Sequence, residues 1–138
     1  RTLGERWDVP FEEIVGKGSE NVRAPESSLR VTGSVALPCD PARVTQAFEN
    51  IIRNAVEHGG SGVTLTAGVL PDGGVFIEDD GPGIPPAERE RVFEKGHTTR
   101  EDGSGFGLAI VERIVDAHGW EIRVAEDAGG GARFEIAT

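Results

Sequence analysis

The segment VFIEDDGPGIP at positions 75–85 carries an alternating strand pattern directly into two carboxylates and a glycine-rich turn. Side chains along a strand alternate between its two faces, so Val75, Ile77 and Asp79 share one face. If the two aliphatic residues face the core, the carboxylate of Asp79 does so too. A buried carboxylate is costly unless donors surround it. The segment therefore predicts a strand that ends at the floor of a cavity, where a bound ligand or an internal salt bridge supplies donors to Asp79.

The other alternating segments predict further strands, most of them paired as hairpins. One hairpin is predicted to join 62–70 and 73–81 through a Pro-Asp-Gly-Gly turn, and a second to join 120–127 and 132–138 around AGGG. A single strand is predicted in 29–40, ending near Leu37.

Helical spacing predicts two amphipathic helices. The first has Asp40 as N-cap, Pro41 in its first turn and an end near His58. The second lies in 106–119. Shorter helices are predicted in 11–22 and, as a polar one, in 85–94, with a mobile loop at 95–105. The order of elements predicts an α+β fold: a two-layer α/β sandwich with a mixed, mostly antiparallel sheet and helices on one face.

The charge balance is strongly acidic, with 24 acidic residues against 14 basic ones and a net charge of −10. No cluster of lysine or arginine is present to neutralise phosphates, which argues against a nucleic-acid-binding face. An acidic surface with only two lysines stays hydrated at high salt and indicates a salt-loving source. An ordinary acidic composition is the alternative. The single cysteine, Cys39, excludes an internal disulfide and a multi-cysteine metal site.

Two asparagines share one stripe of the first amphipathic helix. Asn50, Asn54 and Glu57 are spaced by four and three residues, away from the apolar face. A carboxamide oxygen is a suitable ligand for Mg²⁺, which prefers oxygen donors. The stripe predicts either a magnesium site or two solvated asparagines.

The segment GSGFGLA, at 103–109, places alternate glycines at the start of the second helix. Glycine lets a ligand approach the backbone closely, and a helix N-terminus favours anions. This pattern predicts a phosphate cradle. It is neither the dinucleotide fingerprint, whose spacing differs, nor a P-loop, whose lysine motif is absent from the sequence.

Taken in order, these motifs resemble the histidine-kinase, gyrase and heat-shock-chaperone superfamily of ATPases. Within it, the sequence is similar to the catalytic ATP-binding domain of sensor histidine kinases, most of all to haloarchaeal ones. NIIRNAVEH matches the asparagine box, DDGPGI the first glycine box, VFEKG the phenylalanine box and GSGFGLAIV the second glycine box. The resemblance covers about residues 35 to 137 and implies a Bergerat-type ATP-binding fold.

The resemblance also implies residue roles and cofactors. Asp79 binds the adenine amino group, and Asn54 ligates the Mg²⁺ of bound ATP with support from Asn50, these two asparagines being the catalytic pair. The other residues implied to contact ATP are Gly81, Gly83, Ile84, His58, Arg100, Gly103, Gly105, Phe106, Gly107 and Leu108. Phe93 packs beneath a lid formed by about residues 94–104.

One position departs from the resemblance. Many members carry a phosphate-binding lysine three residues after the second asparagine, where this chain has Glu57. The compensating cation is left open among Arg53, Lys95 and Arg100.

None of the three histidines has the sequence context of a phosphoacceptor. His118 ends a helix, where a cation suits the helix dipole. The chain is therefore expected to be the ATP-binding half alone, with residues 1–10 as a linker from a helical dimerisation domain and 11–138 as the catalytic domain. The implied partners are that histidine phosphotransfer domain and a response regulator. We expect a monomeric, cytoplasmic domain without direct membrane contact, in a full-length protein that can be membrane-anchored.

Other members of the superfamily remain as alternatives. An autonomous ATPase of the gyrase or chaperone type has a glutamate base one turn before the magnesium asparagine, where this chain has Asn50. Two further alternatives have the same nucleotide site but a different partner: an anti-sigma-type serine kinase and a nucleotide-gated interaction module.

Overall fold

The strands and helices follow the predicted order in a computed structural model that describes residues 4–22, 28–59, 62–89, 91–94, 107–126 and 131–138. The strands are β1 (Trp7–Pro10), β2 (Ser28–Val31), β3 (Ala36–Cys39), β4 (Thr64–Val69), β5 (Val75–Asp79), β6 (Glu121–Glu126) and β7 (Ala132–Ala137). The helices are α1 (Phe11–Glu20), α2 (Pro41–Gly59) and α3 (Gly107–Ala117), with a 3₁₀ turn at Pro86–Glu88.

Five strands form the main sheet in the order β2-β4-β5-β7-β6, while β1 and β3 form a separate two-stranded sheet. Only β2 and β4 pair in parallel; every other described pairing is antiparallel. The helices cover one face of the main sheet. The predicted α+β sandwich with a mixed, mostly antiparallel sheet is confirmed.

Both predicted hairpins form. In the first, β4 and β5 pair from Leu65 opposite Asp79 to Val69 opposite Val75. Its turn is closed by the Leu70 amide, which donates to the Gly74 carbonyl at 2.7 Å, and Gly73 adopts a φ of 96° there. In the second, β6 and β7 pair over their full lengths.

The core lies between the helices and the inner face of the sheet. The predicted apolar face of α2 is buried, with each side chain at most 3% exposed: Val44, Phe48, Ile51, Ile52 and Ala55. On the sheet, Leu65, Ile77 and Phe134 are equally enclosed. Helix α1 adds Phe11, whose ring meets that of Phe48 edge-on at 5.4 Å.

Three local predictions were wrong. The single strand predicted in 29–40 is two strands, because β2 pairs with β4 whereas β3 pairs with β1 in the other sheet. Part of the expected connector, Trp7–Pro10, is strand β1. The polar helix expected in 85–94 is a short 3₁₀ turn, since that segment offers few apolar side chains to bury along a helix.

Hydrogen bonds join the start of α2 to the end of α3. Asp40 caps α2, accepting from the Arg43 amide at 3.3 Å, and its own amide donates to Nε2 of His118 at 3.1 Å. His118 is buried, its Nδ1 lies 2.8 Å from the Ile114 carbonyl oxygen, and its ring stacks on Trp120. Because Nε2 accepts and Nδ1 must donate, the imidazole is neutral here. The interpretation of His118 as a helix-end cation was therefore wrong.

The N-terminal segment crosses this same end of the helix pair. The Gly4 amide donates to the Asp40 carboxylate at 2.7 Å, and the Arg6 guanidinium donates to the Ala117 carbonyl at 3.2 Å. Cys39 is buried beside these groups, and burial, followed by the charges of Asp40 and Asp8, raises the pKa of its thiol to about 11. A thiol with such a pKa stays protonated at neutral pH and is a poor nucleophile.

Candidate functional site

Helix α2 places Asn50, the first of the two predicted asparagines, beside the start of α3. A β-carbon built on Gly107, the first residue of α3, would lie 3.9 Å from Cβ and 4.0 Å from Cγ of Asn50. Asn54 lies one turn further along α2 and is half-buried. The structure therefore brings Asn50 next to a helix N-terminus, whose partial positive charge favours anions.

Asp79 ends strand β5 with its side chain on the core side, as the alternation predicted, and is 7% exposed. Its Oδ1 accepts hydrogen bonds from the amide of Gly81 at 2.9 Å and from the amide of Ala132 at 3.3 Å. Backbone amides therefore supply part of what this buried carboxylate requires. A carboxylate has about four acceptor positions, and Asp79 interacts with the chain beyond these two bonds.

Gly131 is a residue in close contact with Asp79 that the sequence prediction missed. A β-carbon there would lie 1.8 Å from the carbonyl oxygen of Asp79, so no other residue fits without a shift of the backbone. This close approach brings the Ala132 amide within reach of the Asp79 side chain. The signal in the sequence was the glycine run of AGGG directly before β7, which was interpreted only as a turn.

The turn after β5 contains the next predicted contact residues. Gly83 has a φ of 78°, a conformation that favours glycine, and Gly81 supplies its amide to Asp79. Ile84 is half-buried against the core, and its carbonyl accepts from Nε of Arg89 at 3.1 Å. The chain therefore leaves Asp79 through a tight bend that keeps these three residues beside the end of the strand.

These groups lie on packed elements, since α2 contacts both α3 and β5. A buried carboxylate suits the amino donor of a ligand, and a carboxamide beside a helix N-terminus suits a ligand's anionic group. A purine nucleotide has this chemistry.

A family comparison identifies which proteins build such a site. The family described as "Histidine kinase-, DNA gyrase B-, and HSP90-like ATPase" matches residues 39–138. The chain belongs to this ATPase family. The predicted superfamily is thereby confirmed, and so is ATP as its nucleotide.

Among curated proteins, sensor histidine kinase ZraS from Escherichia coli O157:H7 is 38% identical to this ATPase domain over 128 residues. The match covers 86% of the chain but 27% of that relative, so the chain spans about a quarter of its length. The relatives found are bacterial. The predicted similarity to haloarchaeal kinases stays a prediction.

Two solved structures share the fold of this family member closely. A mycobacterial sensor histidine kinase, MprB, superposes with a TM-score of 0.84 and 30% identity, covering 95% of both chains. The ATP-binding domain of PrrB from Mycobacterium tuberculosis superposes with a TM-score of 0.75 and 28% identity, covering 96% of this chain and 95% of the other. The prediction of an ATP-binding catalytic domain of the sensor histidine kinase type is confirmed.

Several predicted contact residues of this ATPase domain lie outside the residues that the structure describes: Arg100, Gly103, Gly105, Phe106 and the side chain of His58. Leu108 is described and lies in the core, 8% exposed. Phe93 is half-buried and meets the ring of Phe134 edge-on at 6.3 Å, while the lid that it is predicted to pack beneath lies outside the described residues.

Among the described residues, the Asn54 side chain is the predicted ligand whose chemistry suits Mg²⁺. Within the described ranges, no group of three or more His, Cys, Asp or Glu side chains is arranged to hold a metal ion. The carboxamide of Asn54 has no hydrogen bond to another residue of the described chain, so its oxygen is available to a hard cation. One protein oxygen is a common share of a Mg²⁺ shell when phosphates and waters supply the rest.

A separate groove of about 540 Å³ lies between β1, α1 and the first half of α2. Trp7, Ile14 and Glu49 are among the residues that line it, and none of the described residues predicted to contact the nucleotide does so. Despite its size, this groove is not assigned as the ATP site, because the described motif residues predicted to contact ATP lie elsewhere. Among the described helices, none is long and apolar enough to cross a membrane.

Proposed function

We propose that this chain is the catalytic domain of a two-component sensor histidine kinase, which binds Mg·ATP and donates the γ-phosphate to a histidine on a separate dimerisation domain. The observation that carries the proposal is the buried Asp79 carboxylate, held by the Gly81 and Ala132 amides at the end of β5. A fixed acceptor of this kind fits the exocyclic amino group of adenine. The sensor kinase names of the relatives support the reaction.

The proposed roles follow the predicted order along the chain. Asp79 accepts from the adenine amino group, and Gly81, Gly83 and Ile84 border the base. Asn54 ligates Mg²⁺, and Asn50 supports the phosphates beside the start of α3. The segment 103–108 surrounds the triphosphate through backbone amides, with His58 and Arg100 as further contacts.

The proposed partners lie in the longer protein. The γ-phosphate acceptor is a histidine on a helical dimerisation domain, which residues 1–10 connect to the catalytic domain at 11–138, and a response regulator then receives the phosphate. We place this domain in the cytoplasm, attached to a protein that can be membrane-anchored, and we retain the salt-loving source. The acidic charge of −10 supports that source.

An autonomous ATPase is the second candidate, and one observation disfavours it. Glu49 is the carboxylate nearest in sequence to the position of a catalytic base. It accepts from Arg53 at 2.7 Å and from Nδ2 of Asn21 at 3.3 Å, and it lines the separate groove. A carboxylate engaged in this way is poorly placed to take a proton from water at the nucleotide, so turnover should be slow.

Calorimetric titration with ATP and Mg²⁺ tests the proposal. The wild-type chain is expected to bind in the micromolar range, with affinity falling about tenfold or more in Asp79→Asn and in Asn54→Ala, since each loses a hydrogen bond or ligand made by a polar or charged group. The effect of Asn54→Ala should disappear when EDTA removes Mg²⁺.

Asp80→Asn is the matched control, because Asp80 is exposed and its Oδ1 accepts from the Thr64 amide at 2.8 Å, a bond that asparagine can keep. Wild-type affinity in both site variants would refute the assignment of the site. Rapid ATP hydrolysis by the isolated chain would favour the second candidate.

A further inference from the structure

Arg53 lies between two side chains of its own helix. Its Nη1 donates to Oδ1 of Asn50 at 3.2 Å, and its Nη2 donates to Oε1 of Glu49 at 2.7 Å. Residues three and four positions apart are neighbours on a helix surface, so one guanidinium reaches both. The contact is partly enclosed, with the Glu49 side chain 24% exposed and that of Arg53 42% exposed.

This contact decides which way the Asn50 carboxamide points. A guanidinium has only donors, so the atom of Asn50 that faces Arg53 must be the oxygen. The amide nitrogen of Asn50 is then directed away from Arg53. Asn50 also lies against the start of α3, where a β-carbon on Gly107 would be 4.0 Å from its Cγ. Donors of the side chain and of the helix terminus therefore converge on one region.

The two asparagines differ in consequence. The oxygen of Asn50 is occupied by Arg53, whereas the carboxamide of Asn54 has no hydrogen-bonded partner in the part of the chain that is described. Only Asn54 offers a free oxygen to a cation, and Asn50 offers a donor to an anion.

Glu49 holds the guanidinium in this position. Its Oε1 accepts from Arg53, and its Oε2 accepts from Nδ2 of Asn21 at the end of α1. A carboxylate with donors on both oxygens has less freedom to rotate, and the planar fork of arginine suits two acceptors at once.

We propose that Arg53 is a positioning residue of the nucleotide site: it turns Asn50 so that the amide nitrogen donates to the polyphosphate, leaving the metal to Asn54. The inference rests on the proposed function and extends it, because it names the residue that distinguishes the two asparagines. Arg53 acts through Asn50 and makes no contact of its own with the ligand.

The test measures ADP and adenosine binding in the presence of Mg²⁺, by calorimetry for ADP and by NMR titration for the weaker adenosine. Arg53→Ala is expected to weaken ADP about tenfold, the cost of one charge-assisted contact. Adenosine affinity should not change, since adenosine has no phosphate. In an Asn50→Ala background, Arg53→Ala should add less than about twofold, because coupled residues are not additive.

Two further variants make the result specific. Lys17→Ala is the matched control, because it removes an exposed ion pair of the same spacing, to Glu13 on α1, and should leave both affinities unchanged. Arg53→Lys keeps the charge but not the two-pronged geometry, so it should lose nearly as much ADP affinity as Arg53→Ala. If Arg53→Ala fails to fold, Arg53→Lys tests the inference in its place.

Three results would overturn the inference: full ADP affinity in Arg53→Lys, an equal loss for adenosine, or an undiminished loss in the Asn50→Ala background. These failures differ from failure of the proposed function. If the wild-type chain does not bind ADP, the function itself is wrong. If ADP binds and Asp79→Asn weakens it while Arg53→Ala does not, only the role of Arg53 is wrong.

Discussion

Gly131 stands so close to strand β5 that a β-carbon there would lie within 1.8 Å of the Asp79 carbonyl oxygen. The contact joins residues far apart in the sequence, and it places the Ala132 amide on the Asp79 carboxylate. At the scale of single residues, the alternation around Asp79 predicted its buried position, but no local pattern could reveal which backbone group would reach it.

Replacing Gly131 by alanine should lower the free energy of unfolding by about 1–3 kcal/mol, the cost of forcing an extra carbon into packed structure. Gly16→Ala is the matched control: a β-carbon at Gly16, inside α1, meets nothing within 4 Å. Since alanine is the better helix former, this change should stabilise the chain by about 0.5–1 kcal/mol. Urea unfolding of both variants provides the comparison, and equal effects of the same sign would contradict the proposed close contact.

Strands and helices that depend on a local pattern of apolar residues were predicted well. Period-two alternation located both hairpins, and helical spacing located the buried faces of α2 and α3. The predicted single strand in 29–40 failed for a non-local reason, because β2 and β3 find different partners in two sheets. Strand pairing across many residues is decided by the whole core, which a local pattern does not contain.

The outer face of the main sheet shows the same dependence on partners from different strands. On β7, Arg133 lies 4.0 Å above the ring of Phe76 and pairs with Glu78, both on β5. Its Nε also donates to Glu135 at 2.8 Å, and Glu135 accepts from Nε of Arg123 on β6 at 2.7 Å. Ion pairs across three neighbouring strands therefore close the face that the helices leave uncovered.

This network makes stability depend on pH. The hydrogen bond from Arg133, aided by Arg123 and opposed by burial, lowers the pKa of Glu135 below its ordinary value of 4.5. A carboxyl whose pKa falls on folding stabilises the native state above its ordinary pKa, and this contribution is lost as pH falls through the folded value. Glu135→Gln should therefore reduce the free energy of unfolding by about 1 kcal/mol at pH 7, with the difference shrinking below pH 4.5.

Denaturant titrations at a series of pH values measure this difference. Glu112→Gln, at an exposed position of α3, is the control and should change stability little at any pH. A Glu135→Gln difference that stays constant down to acidic pH would show that the ion pairs contribute nothing.

Considered as a whole molecule, the chain has a net charge of −10 on a single domain. Repulsion among like charges opposes the compact state, and dissolved ions screen it over about 10 Å at 0.1 M salt. The folded chain is therefore expected to gain stability from salt, whichever organism it comes from.

Thermal and urea unfolding in rising KCl should show a free energy of unfolding higher by about 1 kcal/mol near 1 M salt than at low salt, because screening removes the self-repulsion. A variant with Glu112, Asp116 and Glu121 changed to amides, all exposed positions, should respond less steeply. Stability that falls with salt in both proteins would show that attractive pairs, such as those of Glu135, outweigh the net charge.

The bonds of Gly4 and Arg6 to the ends of α2 and α3 have a mechanical consequence. They attach the first residues at the end of the helix pair opposite the asparagines, and Asn54 lies thirteen residues along α2 from Pro41, about 20 Å by the rise of a helix. A force on residues 4–10 would act on α2 and α3, which pack against each other, before it reached the proposed phosphate contacts. The described beginning of the domain is thus anchored to the helix pair at a distance from the proposed nucleotide site.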